Sequence, residues 1–267
     1  MIKSNITSWC RLIAASRATS HGITDYLLAN RTSQTWCVSK RLISKETVLP
    51  NKDEKFEFVK HVFENVAPKY DLMNDLMSLY IHRLWKDLFI SRLNPLPGTK
   101  LIDVAGGTGD IAIRFLKASD RNSTATVCDI NERMLEEGRK RFPNNTRLDW
   151  VVGDAQDLPF EENTFDAYTI AYGIRNLADI ESALREAHRV LKPGGIFMCL
   201  EFSDFKNPIL RQAYERYLLE VLPVMGEIVV GDYKSYRYLG ESILNFPDQE
   251  DFKQMISDAG FKCTSYE

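Results

Sequence analysis

Apolar and polar positions along the chain predict strands and helices in turn. Five segments have the length and apolar content of buried strands: 101–104, 125–128, 148–152, 165–171 and 196–202. Between them, apolar residues recur at helical spacing, most regularly before the stop sequence Lys192-Pro193-Gly194-Gly195. This alternation predicts an α/β fold in which helices cover both faces of a mostly parallel sheet.

Two further regions extend this predicted core. Amphipathic patterns over 52–95 predict an N-terminal helical cap, with a second apolar face formed by Ile81, Leu84, Trp85 and Leu88. The segment 207–242 is predicted as an insertion with a helix, a break at Pro223 and a group of tyrosines. We therefore expect one domain over 52–267, which ends in a helix and a short sixth strand.

The charge pattern sets the first 44 residues apart from this domain. They hold six basic side chains, one acid and twelve Ser plus Thr, a composition typical of a mitochondrial transit peptide. A disordered basic tail is the alternative. The remaining 28 basic and 36 acidic side chains make the rest of the chain acidic, which argues against a nucleic-acid-binding surface.

Composition narrows the class of protein further. The chain has 267 residues and five cysteines, without a C-x-x-C pair, so neither a disulfide framework nor a metal site is indicated. Charged residues interrupt every apolar run well before the roughly 20 residues that a membrane-spanning helix needs. We expect a globular protein of a reducing compartment.

The sharpest motif is the glycine-rich turn after the first predicted strand, Ala105-Gly106-Gly107-Thr108-Gly109. Glycines at such a turn let the backbone pass close to a ligand at the carboxyl end of a parallel sheet. Gly107, Gly109 and Ala112, with Asp129 further on, also fit a dinucleotide-binding fingerprint. A nicotinamide cofactor therefore remains an alternative.

Three aspartates favour a different ligand. Asp103, Asp129 and Asp154 follow or end the first three predicted strands, so they should gather at one edge of the sheet. Such an edge repels a pyrophosphate, by roughly 3 kcal/mol for two like charges about 5 Å apart, but accepts the cationic S-adenosylmethionine. Asp103 and the turn would lie near its methionine part, Asp129 at its ribose, and Asp154 with Ala155 beside its adenine. The alternative for each aspartate is a helix N-cap.

Several segments together resemble the UbiE-type C-methyltransferases of ubiquinone and menaquinone biosynthesis. The resemblance covers about residues 56–267. Its narrowest segments are Lys69-Tyr70-Asp71-x-Met73-Asn74-Asp75, His82-Arg83-x-Trp85-Lys86 and Tyr172-Gly173-Ile174-Arg175-Asn176. It also rests on the segments Asp103 to Asp110, Gly153-Asp154-Ala155, Phe160, Glu186-x-His188-Arg189-Val190-Leu191-Lys192-Pro193-Gly194-Gly195, Leu200-Glu201-Phe202-Ser203 and Ser235-Tyr236-x-Tyr238-Leu239.

The resemblance implies a class I, Rossmann-like fold and methyl transfer from S-adenosylmethionine to a ring carbon of a polyprenyl benzoquinol. By the family's motif, Thr108, Asp129, Asp154 and Ala155 match cofactor contacts, and Gly107 and Gly109 belong to the shared glycine turn. It also implies a peripheral protein on the matrix face of the mitochondrial inner membrane, in a complex with other ubiquinone-biosynthesis proteins. A non-catalytic scaffold in such a complex is a further alternative.

Activation of the ring carbon requires a base, or a cation that favours the phenolate. Arg175 is the first choice for that cation, with Asn176 as a hydrogen-bond partner of the quinol; a surface pair between Arg175 and Asp179 is the alternative. Tyr70 and His82 are candidates for substrate contact and equally for packing. Glu201, at the end of the fifth strand, is a candidate base.

Two expectations concern the periphery of the fold. The cap and the insertion 207–242 are predicted to form a lid for an isoprenoid tail, although apolar stripes more often belong to a core. Relatives continue through a seventh, antiparallel strand between the fifth and sixth, whereas this sequence stops after the sixth. We therefore expect an unfilled slot in the sheet, with the loss of several backbone hydrogen bonds.

Overall fold

The computed structural model describes residues 80–203 and 205–267, the backbone of 13–17, and the single positions 55, 59, 73, 75, 77 and 78. The described strands are β1 (Ile13–Arg17), β2 (Lys100–Val104), β3 (Thr124–Asp129), β4 (Leu148–Val152), β5 (Phe165–Ala171), β6 (Leu191–Leu200) and β7 (Lys262–Ser265). They form one sheet in the order β4-β3-β2-β5-β6-β1-β7. The strands from β2 to β6 are parallel, as the sequence predicts.

The described helices alternate with these strands and then follow one another. They are α1 (Ile81–Leu93), α2 (Asp110–Ala118), α3 (Glu132–Arg141), α4 (Ile180–Val190), α5 (Pro208–Arg216), α6 (Leu222–Val230), α7 (Tyr233–Asn245) and α8 (Gln249–Asp258). No helix in this part of the chain is both long enough and apolar enough to cross a bilayer.

Side chains of successive strand residues point to opposite faces of the sheet, and each face has its own core. In β2, Leu101 belongs to the core that includes Phe89 of α1 and Phe115 of α2. Ile102 belongs to the opposite core, which includes Leu184 of α4. The prediction of helices on both faces of a parallel sheet is confirmed.

Helix α1 has a different buried face from the one predicted. Leu84 and Leu88 are exposed, whereas Phe89, Ile90 and Leu93 are buried. The reason is that the helix packs against α2 and the sheet through its C-terminal half, which the apolar spacing at its start does not reveal.

The predicted stop Lys192-Pro193-Gly194-Gly195 lies inside β6 rather than before it. Pairing of β6 with β5 begins at Leu191 opposite Phe165 and resumes at Ile196 opposite Ala167, so the intervening residues form an irregularity in the strand. Gly194 has a φ of 83°, which a residue with a side chain rarely adopts. The turn residues therefore interrupt the pairing without ending the strand.

The predicted break at Pro223 is also corrected, because the chain passes from α5 through the π-helical turn Tyr217–Val221 directly into α6. Pro223 lies in the first turn of α6, where a missing N–H is tolerated. The carbonyl of Leu219, four residues earlier, accepts a hydrogen bond from Arg237 Nη1 of α7 at 2.8 Å instead.

The slot between β6 and β7 is filled by β1, which is antiparallel to both strands. This overturns the expectation of an unfilled slot in the sheet. The physical reason is that the edge of β6 presents a row of unpaired N–H and C=O groups, which an extended segment from any part of the chain can pair. The other residues of 1–44 lie outside the described residues.

Helices α5 to α7 and the π-helical turn share a small core of their own, which includes Leu218 and Tyr236. Gly240 of α7 lies so close to this turn that a Cβ would stand 2.3 Å from the carbonyl oxygen of Leu218. The insertion is therefore held together by a close approach of backbones that glycine permits.

We predict that Gly240→Ala lowers the free energy of unfolding by about 2–3 kcal/mol, because α7 must move away from the π-helical turn. Lys234→Ala, at an exposed position of the same helix, is the control and should change it by less than about 0.5 kcal/mol. Urea denaturation measures both. Equal stability of the two variants would contradict the close packing.

Candidate active site

A cavity opens at the carboxyl ends of the parallel strands. Asp103 near the end of β2, Asp129 at the end of β3 and Asp154 after β4 all line it. The parallel register brings them together, since Val104 pairs with Cys128 and Asp129 pairs with Val152. The predicted gathering of the three aspartates is therefore present.

The glycine-rich turn forms one wall of the cavity. Gly107 and Thr108 line it, as does Gly106, where a Cβ would stand 2.8 Å from Oδ2 of Asp103. Gly109 does not line it; this residue has a φ of 80°, precedes α2 and packs against Trp150. Of the predicted cofactor-binding residues in this turn, Gly107 and Thr108 thus line the cavity, whereas Gly109 shapes the turn.

Asp129 links the glycine-rich turn to the turn after β3. Its Oδ2 accepts a hydrogen bond from the Gly107 N–H at 2.8 Å, and its Oδ1 accepts one from the Asn131 N–H at 2.8 Å. Burial raises the pKa of Asp129, although these backbone N–H groups oppose the increase. The N-cap of α3 is Asn131, so Asp129 is not explained as a helix cap.

Asp103 is fully buried at the floor of the cavity. Its Oδ1 accepts a hydrogen bond from the Thr169 hydroxyl at 2.9 Å, whereas Oδ2 has no hydrogen-bond partner among the described residues. Burial raises the pKa of Asp103 to about 7, although the hydrogen bond from Thr169 acts to lower it. Such a carboxyl suits a cationic ligand, which would favour its ionised form.

Asp154 and Ala155 have different surroundings. Asp154 lines the cavity, and its Oδ1 accepts hydrogen bonds from the backbone and side chain of Gln156 at 2.9 and 3.1 Å. These bonds form a local turn rather than a helix cap. Ala155 is buried in the core and does not line the cavity.

Arg175 and Glu201 form a buried ion pair beside the cavity. Arg175 Nη1 lies 2.7 Å from Glu201 Oε1 and also donates to the Tyr172 carbonyl at 2.5 Å. Burial raises the pKa of Glu201, while Arg175 opposes that increase. Neither side chain lines the cavity, so the expected exposure of Arg175 to a ligand is not seen, and its partner is Glu201 rather than Asp179.

Asn176 is the residue of this loop that does line the cavity. Its side-chain Oδ1 accepts a hydrogen bond from the hydroxyl of Tyr238, which is buried in α7, at 3.2 Å. Burial raises the pKa of Tyr238 to about 12, so its hydroxyl stays protonated as a donor. The insertion therefore reaches the cavity through this bond.

His82 is placed away from the cavity, in agreement with the packing alternative. Its Nδ1 lies 2.7 Å from the Ser78 hydroxyl, and its Nε2 lies 3.6 Å from Asp75, which also binds Arg83. Burial lowers the pKa of His82 to about 4, so the ring is neutral at pH 7. Tyr70 lies outside the described residues.

Two turns beside the cavity have unusual backbone conformations. Ala105 after β2 has a φ of 51°, and Tyr172 after β5 has a φ of 58°. Both residues line the cavity. Strained residues that flank one cavity are typical of a functional site, and Tyr172 is a lining residue that the sequence analysis did not single out.

The sequence analysis missed other lining residues as well. They come from the cap, from the turn after β3 and from the segment after β4: Val59, Lys86, Ile130, Asn131, Met134 and Gln156. Lys86 lies inside a segment that carried the family resemblance, so a signal was present there. Among the described residues, no group of three or more His, Cys, Asp or Glu is placed to hold a metal ion.

Known proteins of similar sequence are named as methyltransferases. A profile of the ubiE/COQ5 methyltransferase family matches residues 49–267. A protein of Dictyostelium discoideum named 2-methoxy-6-polyprenyl-1,4-benzoquinol methylase, mitochondrial, is 51% identical over 247 residues, or 81% of this chain and 79% of that protein. The Homo sapiens protein of the same name is 48% identical over 279 residues, which cover 91% of this chain and 85% of that protein.

A bacterial relative and a solved structure extend these similarities. The ubiquinone/menaquinone biosynthesis C-methyltransferase UbiE of Cereibacter sphaeroides is 58% identical over 216 residues, which cover 80% of this chain and 86% of that protein. The crystal structure of a Thermotoga maritima SAM-dependent methyltransferase, described as a possible histamine N-methyltransferase, is 26% identical with a TM-score of 0.50 and covers 76% of this chain and 81% of its own. The predicted class I, Rossmann-like methyltransferase fold is confirmed.

We predict that burial of the Asp103 carboxyl makes stability depend on pH. Its pKa is about 7 in the folded chain and near 4 in an unfolded one, so folding loses stability as the pH rises from about 4 to about 7. Asp103→Asn should therefore be more stable than the parent protein at pH 8, by up to about 4 kcal/mol, with a smaller difference at pH 4. Urea denaturation at both pH values measures this, and parallel stability curves would contradict it.

Proposed function

Because the chain belongs to the ubiE/COQ5 methyltransferase family, we propose that it methylates a ring carbon of a polyprenyl methoxy-benzoquinol in ubiquinone biosynthesis, with S-adenosylmethionine as the methyl donor. The activity corresponds to the name of its mitochondrial relatives. The observation that carries it is the single cavity in which three aspartates from successive strands meet the glycine-rich turn.

The residues of the cavity fit the parts of this donor. Asp103, with an unpartnered Oδ2, suits the α-ammonium group. Asp129 suits the ribose hydroxyls, since each of its oxygens retains acceptor capacity beside the backbone bond that it already accepts. Asp154 lies just after β4, where the adenine would rest.

The donor supplies an electrophilic methyl group: the ring carbon bonds to it as its bond to sulfur breaks and S-adenosylhomocysteine leaves. The ring proton then passes to solvent, which restores the aromatic ring. Such a displacement depends mainly on alignment and on exclusion of water. We propose that Asn176 donates its amide N–H to a quinol oxygen, because Tyr238 already occupies its Oδ1. Asn176 would thereby hold the ring in line with the methyl group.

We propose that Arg175 favours the phenolate form of the quinol and that Glu201 holds Arg175 at this turn. Arg175 does not line the cavity, but it is the residue next to Asn176, and Glu201 fixes the position of its guanidinium group, so it would act on the quinol oxygen from behind that residue. Tyr70 remains a proposed substrate contact. His82 is proposed to stabilise the cap, given its contacts with Ser78 and Asp75.

A dinucleotide fits the cavity less well. Asp103, Asp110, Asp129 and Asp154 all line it, whereas Lys86 is the one Lys, Arg or His among the lining residues in the described part of the chain. Like charges within about 5 Å repel strongly where water is limited, so a pyrophosphate would be disfavoured. This charge balance favours the cationic methyl donor.

We propose that residues 1–44, of which Ile13–Arg17 also forms β1 of the sheet, direct the chain to mitochondria. We further propose that the methyltransferase domain works as a peripheral protein on the matrix face of the inner membrane, within a complex of ubiquinone-biosynthesis proteins. A polyprenyl tail on the proposed substrate would partition into that membrane. The insertion 207–242 carries an exposed apolar stripe in its helices, formed by Val221, Val224 and Ile228. This stripe is the proposed contact surface, and the small core beneath it favours the lid.

The methyl-transfer assay uses labelled S-adenosylmethionine and a short-chain methoxy-benzoquinol, followed by location of the label on the product. We predict that Asp129→Ala weakens donor binding at least about tenfold, because the ribose contact and the bond to Gly107 are both lost. Arg175→Ala should lower turnover at least about 100-fold with donor affinity largely retained. An Arg175→Ala protein with full turnover would contradict its assigned role.

A second variant separates chemistry from folding in that test. Arg175→Ala leaves the Glu201 carboxylate buried without its ion pair, which alone destabilises a protein by about 3–5 kcal/mol. The double variant Arg175→Ala/Glu201→Gln removes that charge. It should recover stability and still lack turnover; recovery of turnover would assign the pair a purely structural role.

We predict that Val224→Asp with Ile228→Asp reduces co-sedimentation with phosphatidylcholine vesicles several-fold, because the exposed apolar stripe loses its affinity for the interface. Leu96→Asp, which alters an exposed apolar residue outside the stripe, is the control and should leave it unchanged. Equal effects of the two changes would contradict the assignment of this surface.

A further inference from the structure

We infer that Lys86 of α1 binds the α-carboxylate of the methyl donor, an assignment that rests on the proposed function. The residues discussed above account for the ammonium, the ribose and the adenine of the donor. They leave its carboxylate without a partner. Lys86 lines the same cavity from the cap, and it is the basic residue there within the described part of the chain.

The position of Lys86 suits a ligand of this size and charge. Its side chain is 12% exposed, and Nζ lies 2.9 Å from Oδ2 of Asp110, the first residue of α2. Asp110 follows directly on the glycine-rich turn, and both Asp110 and Lys86 line the cavity. The ammonium of Lys86 is therefore held at the end of the turn where the methionine part is expected.

The charge balance of the cavity makes such a cation necessary. A donor carboxylate in this part of the cavity would lie among Asp103, Asp110 and Asp129. Repulsion from these groups would offset the attraction that they exert on the ammonium and sulfonium groups. One lysine at the turn lets the acidic cavity accept a zwitterionic amino-acid group.

A purely structural ion pair between Lys86 and Asp110 is the competing explanation. Asp110, however, has a second cation, because Arg114 Nε donates to its Oδ1 at 2.9 Å within α2. Arg114 can therefore balance Asp110 while Lys86 binds a ligand. The flexible stem and three donors of a lysine allow it to contact Asp110 and a carboxylate together.

Because Lys86 belongs to the cap, its contact with the donor would also connect the cap to the donor site. Lys86 lies on α1, whereas the other donor-binding residues named here lie at or just after the carboxyl ends of β2, β3 and β4. Binding of the carboxylate by Lys86 would therefore tie the cap to the sheet when the donor is bound. The amino-acid part of the donor, rather than its adenosine, would be the part that the cap recognises.

The test compares two ligands that differ by the carboxylate alone: S-adenosylhomocysteine, and S-adenosyl-3-thiopropylamine, which keeps the ammonium. Calorimetry is carried out on the whole chain and on Lys86→Met. We expect Lys86→Met to weaken binding of S-adenosylhomocysteine about tenfold or more and to leave the decarboxylated ligand within about twofold. Lys86→Arg, which keeps the charge, should retain most of the affinity and shows that the position tolerates substitution.

Lys192→Met is the matched control, since Lys192 forms a comparable ion pair with Asp166 and does not line the cavity. It should change neither affinity. Unchanged binding of S-adenosylhomocysteine by Lys86→Met, equal weakening of both ligands, or no binding of either by the parent protein would overturn the inference. A parent protein that shows the expected ligand pattern but transfers no methyl group would uphold the role of Lys86 and refute the proposed activity.

Discussion

The structure depends on one constraint of parallel sheets: the carboxyl ends of neighbouring strands meet at the same edge. Because β2, β3 and β4 are parallel and in register, Asp103, Asp129 and Asp154 line one cavity although the sequence separates them widely. Burial of carboxyl groups at this edge is costly to folding, because it raises the pKa of both Asp103 and Asp129. A cationic ligand removes that cost, so the same side chains that weaken the empty protein favour binding of a methyl donor.

The loop after β5, beside the cavity, is held by a buried network rather than by exposed charges. Arg175 is held by Glu201 and by the carbonyl of Tyr172, and Asn176 is held by Tyr238 of the insertion. Reactive groups with fixed orientation need little rearrangement in the transition state, which is how electrostatic catalysis gains its effect. The insertion thus contributes to the site through Asn176 as well as through its own apolar surface.

The sequence predicted the fold well wherever the spacing of apolar residues alone determines whether a segment is a strand or a helix. The parallel strands and α4 follow from apolar runs and helical spacing, and the three aspartates follow from their places relative to strand ends. Features that depend on tertiary contacts were missed. Helix α1 exposes Leu84 to solvent, and Pro223 is accommodated because Arg237 binds the carbonyl of Leu219. Strand β1 fills the position in the sheet that the local sequence pattern leaves empty. Lys86 lies in a segment that carried the family resemblance, but its place beside the donor site follows only from the fold, which brings the cap to the cavity.

The central claim is that the acidic edge of the sheet selects a positively charged sulfur donor over a phosphorylated cofactor. Calorimetric titration of the unmodified chain with S-adenosylmethionine and, separately, with NAD tests this most directly. The account predicts saturable binding of S-adenosylmethionine and no detectable heat from NAD at concentrations about 100-fold higher. Binding of NAD with comparable affinity, or no binding of S-adenosylmethionine, would contradict it.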